Sequence, residues 1–521
     1  MYNRMMPKER ILPLLVMLLA FSSAFHLTDA AREPQWGTLK EAPIHASRTD
    51  TKTECDIRHA EKWWEGDIHS SVDIAIIGAG HAGIATAIGL LTSVDRSCRI
   101  QIYERDPILR NNSQGMLCLW SNGMHYLGQI HPDLTQLVMD AGCPLEQTVS
   151  LEVDVSGETK ILGAIKPAKG ATLIRWHSLR SVLHRVLKKE EQGDTTIVTN
   201  HALISYKEFD DCVYLLFDND KVVKANIVIG ADGAFSSVRR IMHPSDRPIY
   251  FGQMNWNAII PTDSLPLDAR PPVNGLKAVH FNGNAERDDD DNDSPKWLVF
   301  INDCGANHTF FNLRFTDEEK ARSLSGSNGR GGIGLPGVKA SLLPVVQMSL
   351  LVQSVWKAIP ESMIFERAIT GRLPSDTWLS PGGRVVLLGD SAHGMHPTIG
   401  QGSNQALGSA VALVNCITSS FESSKKIGHS NEDTGQLPWL VGALRNFDES
   451  RRPRANLILK YANMQGCQQA SGKKLLDRET MLLWSQWIAN TDDDFPPPES
   501  GRNIVETFNP LDNPEVSPVY Y

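Results

Sequence analysis

Two hydrophobic periodicities divide the chain. Val72 to Ile77 is an unbroken apolar run ending in glycine, the pattern of a strand buried on both faces of a parallel sheet. Ala82 to Leu91 follows as a helix of small residues, and Arg99 to Tyr103 as a second strand. Residues 175–190 place Leu179, Val182, Leu183, Val186 and Leu187 on one stripe, the period of an amphipathic helix. Lys221 to Gly230 reads as a hairpin return and strand. Val385 to Leu388 reads as another buried strand, followed by a helix over Ser403 to Ser419, and residues 437–490 are helical in pattern. Residues 250–315 instead alternate apolar and polar in short pieces broken by Gly, Asn and Pro, which predicts antiparallel sheet. Asp288 to Asp293 predicts a solvated hairpin tip, not a calcium loop, because contiguous aspartates lack the glycine spacing. Ser323 to Gly337 predicts a flexible loop, and the tail from Pro496 an irregular one.

Three glycine-bearing motifs stand directly behind these strands. Gly78-Ala79-Gly80-His81-Ala82-Gly83 opens the first helix. Gly78 permits the tight turn, Gly80 lets backbone approach a pyrophosphate, Gly83 lets helix pack on strand, and the helix N-terminus offers N–H donors to phosphate. Glu104 closes the next strand and can accept from ribose hydroxyls, with Arg105 beside it. His81 reads as a solvated turn residue. The second motif is Gly230-Ala231-Asp232-Gly233, and the third Gly389-Asp390-Ser391-Ala392-His393-Gly394-Met395-His396-Pro397, continuing to Gly400-Gln401-Gly402-Ser403-Asn404. The same GxGxxG expression recurs at Gly329 to Gly334, but no strand precedes it and Pro336 follows, so it is not read as a nucleotide site.

In this order the motifs resemble the class A FAD-dependent monooxygenases, the para-hydroxybenzoate-hydroxylase-like enzymes. The resemblance covers about residues 72–460. Arg372-Leu373-Pro374, Trp378 and Gly383 to Asp390 are most similar to the zeaxanthin-epoxidase and FAD-dependent urate-hydroxylase branch. The resemblance implies an α/β chain: a Rossmann-like FAD-binding domain with a parallel sheet, an inserted antiparallel-sheet substrate domain and C-terminal helices. It implies FAD as cofactor, NADPH or NADH as co-substrate, and O₂ delivered to a small organic substrate through a flavin C4a-hydroperoxide, hydroxylating an electron-rich ring or epoxidising an alkene. By resemblance, cofactor contacts fall on Gly78, Ala79, Gly80, Ala82, Gly83, Glu104, Arg105, Arg175, Asp232, Gly389, Asp390, Pro397, Gly400, Gln401, Gly402 and Ser403. Asp390 would meet the ribityl chain, and Asp232 would lie near the pyrophosphate.

Two departures stand out. Arg175 is one residue farther from Leu179 than in the family, and the acidic pair usual after Gly-Gln-Gly is absent from Gln405 to Ala410. No catalytic side chain is obligatory in this chemistry. His396 and Arg367 are the candidates, with His396 and Trp256 as substrate contacts and Arg367 as a holder of an anionic substrate. The competing readings for Trp256 and Arg367 are a core aromatic and a solvated surface arginine. No metal-ligand spacing is present. Trp256-Asn257-Ala258-Ile259-Ile260-Pro261 has one Trp and the wrong spacing for the Trp-x-Trp-x-Ile-Pro signature of flavin halogenases. The alternatives are thus a catalytically silent FAD-binding protein, or a halogenase or reductase on the same fold.

The expected organisation is FAD-binding parts at 72–143, 171–243 and 371–420, substrate-sheet parts at 144–170 and 244–370, C-terminal helices at 435–490 and a tail at 491–521. A linker at 31–70 and a targeting segment at 1–30 precede them. Composition adds exclusions. With 51 Lys+Arg against 60 Asp+Glu the net charge is −9, and without a long basic run the chain does not read as a nucleic-acid binder. Ile11 to Phe25 is the one strongly apolar stretch. It is shorter than the roughly 20 residues that span a bilayer, and Arg4, Lys8 and Arg10 precede it. A signal peptide into the endomembrane system is the first reading. A membrane anchor, or a bipartite plastid presequence suggested by Ser23-Ala24-Phe25, are the alternatives. Eight cysteines without paired spacing make no disulfide scaffold.

Overall fold

The computed structural model describes residues 63–65, 67–94, 98–109, 114–154, 156–165, 170–191, 197–281, 297–317, 331–426, 438–471, 475–492, 494–513 and 516–518. The amino-terminal apolar run, most of the 31–70 linker, the acidic run and the first part of the Gly/Ser stretch lie outside these residues.

β1 (Ile68–Ile77) turns into α1 (His81–Ser93) and returns as β2 (Ile100–Tyr103). β3 (Met116–Leu119), α2 (Ser121–Ile130), α3 (Leu134–Ala141) and β4 (Cys143–Pro144) lead to the hairpin of β5 (Gln147–Val153) and β6 (Thr159–Ile165). β7 (Thr172–Arg175) runs straight into α4 (Trp176–Glu190). β8 (Ile197–Val198), β9 (Leu203–Glu208), β10 (Val213–Phe217) and β11 (Val222–Gly230) precede α5 (Ser237–Met242). β12 (Ile249–Pro261), β13 (Gly275–Phe281), β14 (Trp297–Asp303) and β15 (His308–Thr316) are followed by β16 (Gly332–Ile333), α6 (Leu350–Ala358) and β17 (Phe365–Gly371). β18 (Val385–Leu387) delivers the chain to α7 (Gly402–Lys426), α8 (Pro438–Ser471), α9 (Arg478–Ala489) and β19 (Ser517–Pro518).

Two large sheets result. The first runs β8-β2-β1-β11-β10-β9, with β18 also on β11. β8, β2, β1, β11 and β18 are mutually parallel, and β9 and β10 add an antiparallel edge. Its apolar runs sink into one core: Ile74, Ile76, Ile227, Ile229, Val386 and Leu387 are fully buried together with Ile84 and Ile88 of α1 and Leu407 and Leu413 of α7. The second runs β16-β17-β12-β15-β14-β13-β5-β6, with β19 on β12. It is antiparallel except where β13 meets β5. β3, β7 and β4 form a small third sheet.

β12 departs from the half-exposed alternation its sequence suggests, being buried from Ile249 to Ile260. One face carries Met254, Trp256, Ala258 and Ile260 into a core shared with Val352, Val355 and Trp356 of α6. The other carries Gln253, Asn255 and Asn257, which are buried as well. Three more expectations change. α7 continues past Ser419 to Lys426, because buried Phe421 packs on Trp439 at 5.4 Å. The tail is not irregular throughout: Arg502–Thr507 is helical and buries Val505, and Ser517–Pro518 pairs with Ile249 and Tyr250. Within the described part of the recurrent GxGxxG, Gly332–Ile333 is an edge strand antiparallel to β17.

Candidate functional site

The register Ile77↔Gly230 and Gly230↔Leu387 aligns the carboxyl ends of β1, β11 and β18. The three glycine motifs therefore leave the sheet side by side, at the end of a parallel sheet where ligands of such folds sit. Gly78 has φ +106°, and a Cβ there would lie 2.6 Å from the Ala231 carbonyl oxygen, so the first and second motifs touch. At Gly83 a Cβ would lie 2.1 Å from the Gly78 carbonyl oxygen. A Cβ at Gly389 would meet that of Ala82 at 3.0 Å, which joins the third motif to the first. Ala79 donates its N–H to Glu104 Oε2 at 2.9 Å, while Oε1 accepts from the Asp106 N–H. The carboxylate at the end of β2 is thereby fixed beside the loop. Arg105 is exposed.

His81 is not a solvated turn residue. It is buried, its ring lies 4.6 Å from that of Trp176, and its Nε2 is 3.1 Å from the Trp176 carbonyl oxygen. A carbonyl only accepts, so Nε2 carries the proton; burial lowers the pKa to about 4. The contact ties the first residue of α1 to the first residue of α4, next to Arg175.

Several polar groups here are buried without partners. Arg175 Nε has none. Asp232 Oδ2 accepts from the N–H groups of Ser237 and Val238 and caps α5, whereas Oδ1 has no partner; burial raises its pKa. Gln401 Oε1 accepts from Asn122 and Gln405, while its Nε2 is left over. Pro397 opens the turn ending at Gly400 (φ +62°). Gly402 and Ser403 begin α7, and Asn404 then locks α7 to β3 by accepting from the Trp120 N–H and donating to the Cys118 carbonyl. Gly80 and Gly402 have no atom within 4 Å of a Cβ position. Open space in front of two helix N-termini, lined by unsatisfied polar atoms, fits a long phosphate-bearing ligand such as FAD.

The second sheet contributes a polar face. Asn255 stands opposite Arg314 on one side and Arg367 on the other. Arg314 Nε donates to Asn255 Oδ1 at 3.1 Å, and Asn312 donates to both Asn255 and Asn257. Arg367 is exposed, yet it stands deep enough in the molecule that burial lowers its pKa, an effect the Asp390 carboxylate opposes. Asp390 is likewise exposed, with its pKa raised by burial and pulled back by Arg367. Arg367 and Asp390 thus keep exposed surface and act on each other's charge, which places the β17 side of the second sheet beside the third glycine motif.

The structure moves two expected substrate contacts elsewhere. Trp256 points to the opposite face, stacked on Phe315 at 4.6 Å with Nε1 donating to Glu366 Oε2 at 2.5 Å. Successive strand residues point to opposite sides, so a neighbour of Asn255 cannot face the same cleft. His396 is fully buried, and both ring nitrogens are engaged. The Thr398 N–H donates to Nδ1 at 3.2 Å, so Nε2 carries the proton and donates to Gln253 Oε1 at 2.9 Å. A Cβ on Gly466 of α8 would lie 2.3 Å from the ring. His396 clamps the late loop between β12 and α8 and is a positioning residue. Arg314, Asn255, Asn257 and Asn312 are absent from the sequence-based site. Their signal is the run Gln253-Met254-Asn255-Trp256-Asn257, where amides alternate with core residues.

Residues 377–425 match the family model described as an FAD binding domain. Zeaxanthin epoxidase of Spinacia oleracea, described as chloroplastic, is 25% identical over 424 residues, 79% of this chain and 56% of that protein. The enzyme of Solanum lycopersicum is 25% identical over 84% of this chain and 60% of its own length. The chain thus spans less than two thirds of these relatives. Among solved structures, Klebsiella pneumoniae HpxO complexed with FAD and uric acid superposes with a TM-score of 0.59 at 19% identity, covering 87% of this chain and 99% of that one. The chain has the fold of the class A FAD-dependent monooxygenases. The 2,6-dihydroxypyridine-3-hydroxylase of Arthrobacter nicotinovorans shares this monooxygenase fold, with a TM-score of 0.59 at 17% identity over 78% of this chain and 94% of that one.

Proposed function

We propose that the chain is an FAD- and NAD(P)H-dependent monooxygenase that places one atom of O₂ on a small organic substrate. The observation that carries this reading is the alignment of three open glycine loops at the ends of β1, β11 and β18, in front of a polar face of the second sheet. Gly78, Ala79, Gly80, Ala82 and Gly83, with the N-terminus of α1, would receive the pyrophosphate. Glu104 and Arg105 would meet the adenosine ribose, Arg175 and Asp232 the middle of the cofactor, and Gly389 and Asp390 the ribityl chain. Pro397, Gly400, Gln401, Gly402 and Ser403 would flank the ring system, with the N-terminus of α7 favouring negative charge there. When bound, FAD supplies the redox chemistry; the protein's part is to bind, orient and exclude water. Relatives named as an epoxidase and folds named as hydroxylases support both outcomes for the transferred oxygen.

The test is an absorbance spectrum of the purified protein, followed by NADPH and NADH oxidation against a panel of phenols, polyenes and terpenoids. Flavin bands and substrate-stimulated oxidation are expected. A protein that cannot take up flavin overturns the reading, and flavin without stimulated oxidation points to the silent binding protein. The relatives described as chloroplastic favour the plastid reading of the amino-terminal segment over the secretory and anchored ones. No helix among the described residues is long and apolar enough to cross a membrane.

A further inference from the structure

Trp176, the first residue of α4, is held by both its backbone and its ring. Its N–H donates to the Gly115 carbonyl oxygen at 2.8 Å, and its carbonyl oxygen accepts from His81 Nε2 at 3.1 Å. The His81 ring lies 4.6 Å from the indole, and the Arg180 guanidinium lies 4.8 Å from the indole centroid. His81 is itself buried within the first glycine motif. The first turn of α4 is therefore pinned to the first turn of α1 and to the residue just ahead of β3. Anchoring the helix does not require this, since α4 already buries Leu179, Val182, Leu183, Val186 and Leu187. What the extra contacts fix is the direction of the preceding residue. Arg175 ends β7 opposite Met116, with φ −64° and ψ 139°, and its Nε is buried without a partner. A buried guanidinium nitrogen left unpaired is costly, so it marks a place for an acceptor. Burial raises the pKa of the Cys304 thiol and the Arg175 charge opposes that rise, so the guanidinium reaches from the first sheet's side toward the β14–β15 turn. Arg175 also stands one residue farther from Leu179 than in the family, with Trp176, His177 and Ser178 between them. Helix register alone would therefore set it out of place.

We infer that His81 and Trp176 form a clamp that positions Arg175 for the anionic middle of the bound dinucleotide, doing what helix register does elsewhere in the family. Arg175 makes the contact; His81 and Trp176 are positioning residues. This inference rests on the FAD reading above and deepens it: the fourth residue of the first glycine motif acts sideways, on the arginine.

The experiment titrates FAD into the cofactor-free full chain and follows quenching of flavin fluorescence, with thermal unfolding of each cofactor-free variant alongside. Arg175→Met is expected to weaken FAD binding about tenfold or more, the effect of losing a charge-assisted contact. His81→Phe keeps a ring but cannot donate, and should weaken binding about three- to tenfold; His81→Gln keeps a donor and should recover most of that loss. Because His81 acts through Arg175, adding His81→Phe to Arg175→Met should cost less than about a further twofold. Full additivity in the double variant overturns the inference, since His81 would then act independently of the arginine. A loss in His81→Gln equal to that in His81→Phe overturns it as well. So does an FAD affinity of Arg175→Met or His81→Phe within about twofold of the parent while Gly80→Ala still weakens binding, and the monooxygenase reading then stands. Should His81→Phe fail to fold, Trp176→Leu supplies the same cycle with Arg175→Met. A parent protein that takes up no FAD overturns this inference together with the reading beneath it.

Discussion

A methyl group on Gly83 would sit 2.1 Å from the Gly78 carbonyl oxygen, which is backbone and cannot swing aside, whereas one on Gly80 would meet nothing within 4 Å. Two glycines of one motif thus answer to different demands, and the same substitution should separate them. Gly83→Ala is expected to cost roughly 1–3 kcal/mol of stability with or without cofactor. Gly80→Ala should leave the thermal midpoint of the cofactor-free protein unchanged and weaken FAD binding, because its methyl would intrude on space kept for the ligand. Thermal unfolding and flavin titration of both variants check this, and equal destabilisation would refute it. These glycines are legible in sequence because their spacing encodes backbone geometry directly. Arg314 is not: its meaning depends on Asn255, 59 positions away in sequence, standing opposite it. Trp256 misleads for a related reason, since aromatic size suggests a cavity wall while only the strand's phase decides which face it occupies.

At the scale of elements, whatever announces itself by sustained period is readable: β1, α1, α4, β11 and β18 all stand where hydrophobic pattern places them. Elements held only by their partners do not announce themselves. β19 is two residues long and exists because it pairs with Ile249 and Tyr250, with Val516 buried among Ile249, Phe251, Ile369 and Cys467. Ending the chain after Asn513 removes that strand and leaves part of this apolar cluster open. Burial of a valine contributes about 1.5–3 kcal/mol, so the truncated protein should lose about that much stability in denaturant or heat. Flavin content should stay the same, because the glycine loops belong to the other sheet. A truncation that abolishes flavin uptake would show that the tail also shapes the cleft. The absent acidic pair in α7 belongs to this scale too. Gly408 leaves room for Tyr126 and Arg451, whose atoms would lie 2.8 and 2.9 Å from a Cβ there, and Ser409 contacts both His393 and Arg451. The helix keeps its packing by a different set of side chains.

For the whole molecule, the four most deeply buried of the lowered histidines contribute most to how stability responds to acid. His81 and His280 are lowered to about 4 and His393 to about 3, in each case chiefly by burial, and burial also holds His396 well below its usual value. Arg451 lowers His393 further, as Arg314 lowers His396. Each is neutral when folded and titrates near 6.5 when unfolded, so between 6.5 and its folded value the unfolded chain binds the extra proton. Stability contributed by that neutrality is complete above pH 6.5 and is lost as pH falls toward 4. For His81 or His280 the full loss is roughly 3 kcal/mol apiece. Asp232 and Asp390 act in the opposite sense. Their raised values mean the folded state holds protons longer, so acid relieves a cost in the native protein. Two raised carboxyls stand against these four histidines and the half-buried His184 and His243, which burial also lowers, so the histidines dominate. The thermal midpoint should therefore be flat from pH 8 to about 6.5 and decline steeply below it, well above the range where ordinary carboxylates protonate. Replacing His81 by Gln, which can still donate to the Trp176 carbonyl oxygen but takes up no proton, should flatten the decline by one histidine's share. An unchanged slope in that variant would assign the acid sensitivity to other groups.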